Sequence, residues 1–157
     1  MASLDSFTVG TAQFCAMFPL PASTFSSLRE RDGLFFTRTD ARRGVANDWT
    51  LSDALRLALA LKLKETGIPS RDACVVASAA DPLSAFIAGA PIRFGFAAGR
   101  LSNVFDPARD PVLSMPMEQD AQALVLQFTT AMIEAQGGPA AQAALDAFDA
   151  RLRESWA

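Results

Sequence analysis

Five arginines between positions 29 and 43 are the side chains whose type and spacing most clearly favour a binding function. A guanidinium group carries a permanent charge and a planar set of N–H donors that match phosphate oxygens. Clustered in one stretch, they predict contact with a nucleic-acid backbone. Because acidic residues interleave with them, a solvated charged surface is the alternative for each arginine taken singly. The arginines are Arg29, Arg31, Arg38, Arg42 and Arg43.

Four hydroxyl side chains come just before these arginines. Hydroxyl groups bond to phosphate oxygens or to the edges of bases, so they suit the same partner. Serine and threonine are also common helix caps, and we expect at least one of the first two to cap a helix. The residues are Ser23, Thr24, Ser26 and Ser27.

Catalytic chemistry has little support in the sequence. The chain contains no histidine, which removes the most common general base and transition-metal ligand. An acidic cluster (Asp106, Asp110, Glu118 and Asp120) matches no calcium-loop spacing, and acids are favoured in loops and in the first turn of a helix. The glycine-containing stretches match neither a phosphate-binding loop nor a dinucleotide turn. We therefore expect no enzymatic activity, no metal and no cofactor.

The composition is that of a folded protein with an uneven charge. Half of the 157 residues are apolar, which is enough for a packed core. The formal net charge of −3 predicts no general attraction to phosphate. Residues 1–75 carry nine Lys and Arg against eight Asp and Glu, whereas residues 76–157 carry five against nine. Local clustering of arginine therefore matters more than the total charge.

Sequence features that report on location favour the cytoplasm. Cys15 and Cys74 lie far apart in apolar surroundings, which predicts free buried thiols in a reducing compartment. The first residues lack the basic and long apolar regions of a signal peptide. No apolar run approaches the roughly 18 residues that a membrane span needs. We expect a cytoplasmic protein that does not contact a membrane.

Two short helices are predicted to position the hydroxyl groups and the first arginines. Thr8 is placed to cap a helix over about 9–18, which ends where prolines 19 and 21 interrupt it. A second helix over about 23–31 turns Phe25 and Leu28 inward, and Gly33 closes it. Two short helices joined by so tight a turn form the DNA-reading helix-turn-helix motif.

A hairpin and a longer helix are predicted to follow. The segment 35–50 is predicted to form this hairpin. Two phenylalanines begin it, residues 40–44 are its tip, and the chain returns from Asn47 onward. Thr50 or Ser52 begins a leucine-rich helix that reaches about Thr66, and Gly67 ends it.

Five short motifs follow one another along the first half of the chain. They are Glu30-Arg31-Asp32-Gly33-Leu34-Phe35, Arg42-Arg43-Gly44, Trp49, Thr50-Leu51-Ser52-Asp53 and Gly67-Ile68. In this order and spacing, the first half of the chain resembles the MerR-type winged-helix family. Each matching motif is short, and their order along the chain is the better evidence. The chain departs from the family at Ser26 and Ser27, which replace an Arg-Tyr pair, and it lacks the family's metal-binding cysteines and long dimerising helix.

The resemblance implies a way of binding DNA. The second helix, Ser23 to Arg31, would lie in the major groove, and the wing, Arg38 to Arg43, would hold the backbone. Trp49 stands in the place of the tyrosine that ends the wing. Two roles are predicted for Trp49 as alternatives: it contacts the DNA backbone, or it packs the wing against the core.

The second half has its own pattern of elements. Asp81 and Pro82 predict the start of a short helix. Residues 92–98 alternate at strand period, and short strands are predicted over 101–105 and 112–115. Helical spacing over 118–135 and 140–156 predicts two closing helices that either pack as a hairpin on the sheet or present an apolar face to a second subunit.

The sequence therefore predicts a mainly α protein with an N-terminal winged helix-turn-helix and a small α/β C-terminal extension of short strands and a helical hairpin. The predicted domains are residues 1–80, which bind DNA, and residues 81–157, which dimerise or sense an effector. The predicted function is a sequence-specific transcriptional regulator that binds double-stranded DNA as a homodimer and contacts RNA polymerase or another protein through its C-terminal region. The alternative is a protein–protein adaptor that keeps the winged fold without DNA binding.

Overall fold

Helices make up most of the described part of the chain, residues 3–35 and 48–157 of a computed structural model. This confirms the prediction of a mainly α protein with short strands and two closing helices. The helices are α1 (Thr11–Ala16), α2 (Ala22–Glu30), α3 (Leu51–Glu65), α4 (Ser70–Ala79), α5 (Pro82–Ile87), α6 (Glu118–Gln136) and α7 (Gly138–Trp156). The strands are β1 (Val9–Gly10), β2 (Asp48–Trp49), β3 (Ile92–Ala97), β4 (Arg100–Ser102) and β5 (Val112–Met115).

Both sheets of the described ranges are antiparallel. In the N-terminal pair, Val9 of β1 lies opposite Trp49 of β2. In the C-terminal sheet the strand order is β4-β3-β5. The ring of Phe105 lies against β3 at Gly95, where a Cβ atom would stand 2.1 Å from the Cβ of Phe105. Only glycine therefore allows this loop to cover the sheet.

Helix α3 is the central element of the fold. Thr50 caps it in a reciprocal arrangement, because its side chain accepts a hydrogen bond from the Asp53 N–H while the Asp53 carboxylate accepts one from the Thr50 N–H. Its leucines and alanines are buried around most of the helix circumference. It packs against α4, α5 and α6. Because its neighbours come from both halves of the sequence, α3 joins the two halves.

The buried apolar side chains form one continuous cluster on both sides of residue 80. Helices α6 and α7 pack against each other, and α6 also contacts α3. Cys15 and Cys74 are free buried thiols, as predicted, and burial raises the pKa of Cys74 to about 11. The division into residues 1–80 and 81–157 remains a prediction.

Two predicted helix caps are wrong. Thr8 does not cap α1, because Val9 and Gly10 form a strand and the helix begins two residues later than predicted. Ser23 and Thr24 do not cap α2, because the helix begins at Ala22 and they lie inside its first turn. The residue before α2 is Pro21, which has no side-chain hydrogen-bond acceptor.

Candidate nucleic-acid interface

Four aromatic side chains, here called the aromatic cluster, hold the elements of the first half together. The cluster consists of Phe14 of α1, Phe25 of α2, Phe35 and Trp49. The Trp49 ring stacks on Phe14 with centroids 5.1 Å apart and meets Phe25 edge-on at 5.5 Å. All four side chains are buried. The cluster therefore fixes α1, α2 and β2 relative to one another.

Trp49 lies inside this cluster. Its side chain is 0% exposed, and its indole N–H donates a hydrogen bond of 3.0 Å to the Thr11 hydroxyl. A side chain with no accessible surface offers nothing to a DNA backbone. The prediction of Trp49 as a DNA contact is therefore corrected, and of its two possible roles the structure favours packing.

The outer face of α2 carries the predicted hydroxyl groups. Phe25 and Leu28 are buried on the inner face, while Ser23 and Ser26 are exposed and Thr24 and Ser27 are half-buried. Among the described residues, none of these four hydroxyl groups has a hydrogen-bond partner. Because these hydroxyl groups neither cap the helix nor bond to another described residue, they are available to an external ligand.

Arg29 covers the aromatic cluster. Its guanidinium carbon lies 5.1 Å from the centre of the Trp49 ring and 5.4 Å from that of Phe25. These distances are typical of cation–π contacts. Because Arg29 is only half-buried, one side of its guanidinium group packs on the rings and the other reaches the surface beside α2.

Arg31 and Asp32 connect the end of α2 to the start of α4. Asp32 is buried, and its carboxylate accepts hydrogen bonds from Arg31 at 3.2 Å and from the Ser70 hydroxyl at 2.7 Å. The hydrogen bond from Arg31 and then the one from Ser70 hold the pKa of Asp32 below its ordinary value. The Arg31 side chain itself remains largely exposed. The bond from Ser70 therefore links the end of α2 to α4, and the guanidinium group of Arg31 stays accessible.

Replacing Asp32 with asparagine should lower the free energy of unfolding at neutral pH by about 2 kcal/mol, because it removes the buried charge and one of the two oxygens that accept hydrogen bonds. The native pKa of Asp32 lies below that of the unfolded chain, about 3.9. The stabilisation is therefore fully present above about pH 4 and is lost as the pH falls through the native pKa. Urea unfolding of both proteins between pH 3 and 7, in steps of about one unit, measures this difference.

The matched control is Asp149→Asn on α7, where the carboxylate has no hydrogen-bond partner among the described residues. We expect that control to change the free energy of unfolding by less than about 0.5 kcal/mol. An Asp32→Asn protein as stable as the wild type at pH 7 would contradict the assigned role of the pair.

Phe35 and Trp49, which lie on either side of residues 36–47 in the sequence, are in contact with each other. The rings of Phe35 and Trp49 have centroids 4.9 Å apart. Phe35 has a positive φ of 62°, and its N–H donates a 2.7 Å hydrogen bond to the buried Ser78 hydroxyl of α4. This bond helps to hold a conformation that residues other than glycine rarely adopt. The chain therefore departs from and returns to the aromatic cluster, next to the C-terminal end of α2.

The predicted wing arginines, Arg38, Arg42 and Arg43, lie outside the described residues. Of the predicted site residues that the structure describes, those of α2 share one surface, whereas Trp49 lies beneath it. Sequence reasoning missed two serines of α4. Ser70 bonds to Asp32 at the end of α2, and Ser78 bonds to the backbone of Phe35. No local signal marks them, because each acts on a residue about 40 positions away.

Other kinds of site find no support in residues 3–35 and 48–157. No group of three or more acidic or cysteine side chains there could hold a metal ion. None of the helices in these ranges has the length and apolar character needed to span a membrane. No protein-family model matches the chain, and comparisons with curated proteins and with solved structures found no match either.

Proposed function

We propose that this protein is a non-enzymatic, sequence-specific DNA-binding regulator that acts through a winged helix-turn-helix, as a homodimer. In this proposal α1 and α2 form the helix-turn-helix, and the outer face of α2 enters the major groove. Arg38, Arg42 and Arg43 belong to a wing that contacts the phosphate backbone.

The outer face of α2 supports the first part of the proposal. Its exposed and half-exposed hydroxyl groups are free of partners among the described residues, and they are small enough to allow close approach to bases. Arg29 and Arg31 lie beside them and reach the surface. The inner face is fixed by Phe25 and Leu28, so the helix is a rigid support for these groups.

The observation that carries the proposal is the contact between Phe35 and Trp49. Phe35 and Trp49 flank the arginine-bearing segment in the sequence, and their rings lie against each other in the aromatic cluster, which also holds Phe25 of α2. A wing requires this closure, since its arginines must contact the same DNA that the helix enters. The thirteen residues between Phe35 and Trp49 are enough for a hairpin.

The adaptor function is the second candidate, and the charge distribution favours it. Glu30 is exposed beside the hydroxyl face, and Asp32 partly neutralises Arg31. Leu126 and Ile133 of α6 are exposed at 68% and 47%, which suits contact with a protein, either a second copy or a different partner. An adaptor would use these surfaces and would not respond to changes on α2 in any DNA assay.

Replacing Ser26 with glutamate tests the α2 surface. The position is exposed and glutamate favours helix, so the fold should be retained. A negative charge in the groove would oppose the phosphates, and we expect affinity for DNA to fall at least about tenfold. Fluorescence anisotropy with a labelled duplex measures the change.

The matched control is Ser114→Glu, at an exposed position of β5 in the second half. It adds the same charge to the whole protein but lies outside the proposed interface. Equal losses of affinity in both variants would show a general charge effect, and an unchanged affinity in Ser26→Glu would exclude α2 from the interface.

A further inference from the structure

A pocket of about 630 Å³ lies where the end of α5, the start of α6 and the end of α7 meet. Its size is in the range of small-molecule sites. It lies in the second half of the chain, and none of its lining residues belongs to α2 or to the aromatic cluster. The pocket therefore has no part in the proposed DNA contact.

Aromatic rings form one wall of the pocket. Trp156 meets Phe86 edge-on, with centroids 6.1 Å apart and ring planes at 87°. The indole is 51% exposed, so part of the ring is free to contact a ligand. It lies against Gly89, where a Cβ atom would stand 3.0 Å from the indole nitrogen. The positive φ of 69° at Gly89 also favours glycine, which lets Trp156 approach the backbone.

One charged residue lines the pocket, and it is acidic. Glu118, in the first turn of α6, is exposed at the rim, and no lysine or arginine of the described ranges lines the pocket. Three helix ends meet here, the C-terminal ends of α5 and α7 and the N-terminal end of α6. Two of these ends carry negative partial charge and one carries positive, so the helix ends and the full charge of Glu118 together make the pocket negative.

We propose that this pocket binds a small organic cation with an apolar or aromatic body. The face of the half-exposed Trp156 ring carries negative quadrupole charge and attracts a cation, while Phe86 and Met117, which are buried, supply apolar lining. The carboxylate of Glu118 pairs with the positive charge. An anion of the same shape meets the same apolar walls but is repelled by Glu118.

Tetraphenylphosphonium and tetraphenylborate are a suitable pair of probes, because they have similar shape and opposite charge. Isothermal titration calorimetry with the full chain should show saturable binding of the phosphonium and at least tenfold weaker binding of the borate. Quenching of tryptophan fluorescence should accompany binding and disappear in Trp156→Phe, because Trp49 is buried in the aromatic cluster.

Single substitutions test whether the phosphonium binds in this pocket. We expect Trp156→Ala to weaken phosphonium binding about tenfold and Glu118→Gln about fivefold. Glu134→Gln, an exposed acid far along the same helix, should leave the affinity unchanged. Circular dichroism confirms that each variant is folded.

Three results would each overturn the proposal: no saturable binding of the phosphonium, binding of the borate as tight as that of the phosphonium, or unchanged affinity in Glu118→Gln. The first two need only the wild-type protein, so they stand even if a variant fails to fold. DNA is absent from these titrations, so the result is independent of the proposed regulatory function.

Discussion

Replacing Trp49 with alanine is expected to lower the free energy of unfolding by about 3–5 kcal/mol. The side chain is fully buried, contacts three other aromatic rings and donates a hydrogen bond to Thr11. Its removal would leave a large cavity and an unpaired hydroxyl between α1, α2 and β2. Urea unfolding followed by circular dichroism measures the decrease.

The chain offers a matched control, since its second tryptophan is Trp156. Because that side chain is 51% exposed, we expect Trp156→Ala to cost only about 1 kcal/mol. If Trp49→Ala does not fold, Trp49→Phe should still lower the free energy of unfolding by about 1–2 kcal/mol through the missing hydrogen bond to Thr11 and the smaller ring. A cost below about 1 kcal/mol for Trp49→Ala would contradict the role of Trp49 as the centre of the cluster.

Replacing Arg38, Arg42 and Arg43 together with alanine is expected to weaken DNA binding on the order of 100-fold at low salt, at roughly 1 kcal/mol per phosphate contact. Each phosphate that an arginine neutralises also releases counterions. The slope of log affinity against log salt should therefore become shallower by about 0.9 for each phosphate that is no longer neutralised, or roughly 3 units in all. Anisotropy titrations at a series of salt concentrations measure both quantities.

The control for total charge is a triple replacement of Arg93, Arg109 and Arg153 with alanine. These arginines are exposed in the second half, and none of them forms an ion pair among the described residues. This control should leave the salt slope nearly unchanged. Equal decreases in affinity in the two triple variants would show that net charge, not the position of the three arginines, governs binding.

Local signals predicted much of the fold. Gly33 closes α2 with a positive φ of 80°, and the Leu34 N–H bonds back to the Leu28 carbonyl. Asp81 caps α5 as predicted. The alternation in residues 92–97 produced strand β3. Each of these signals acts within a few residues, so a sequence displays it directly.

Non-local contacts decided the features that the sequence did not reveal. Pairing of β1 with β2 across about 40 residues converted the predicted first turn of α1 into a strand. Trp49 could not be assigned to the core from its neighbours, because its packing partners Phe14 and Phe25 lie far away in the chain. The pocket beside Trp156 was also not predicted, since three separate helix ends create it.

The most direct test of the proposed function is an anisotropy titration of the full chain with two duplexes, one of random sequence and one from the protein's own promoter region. The titration should be done at low and at physiological salt. The proposal predicts salt-sensitive binding to both duplexes and a clear preference for the promoter. Absence of binding to either duplex, even at low salt, would contradict it and would leave the adaptor function as the leading candidate.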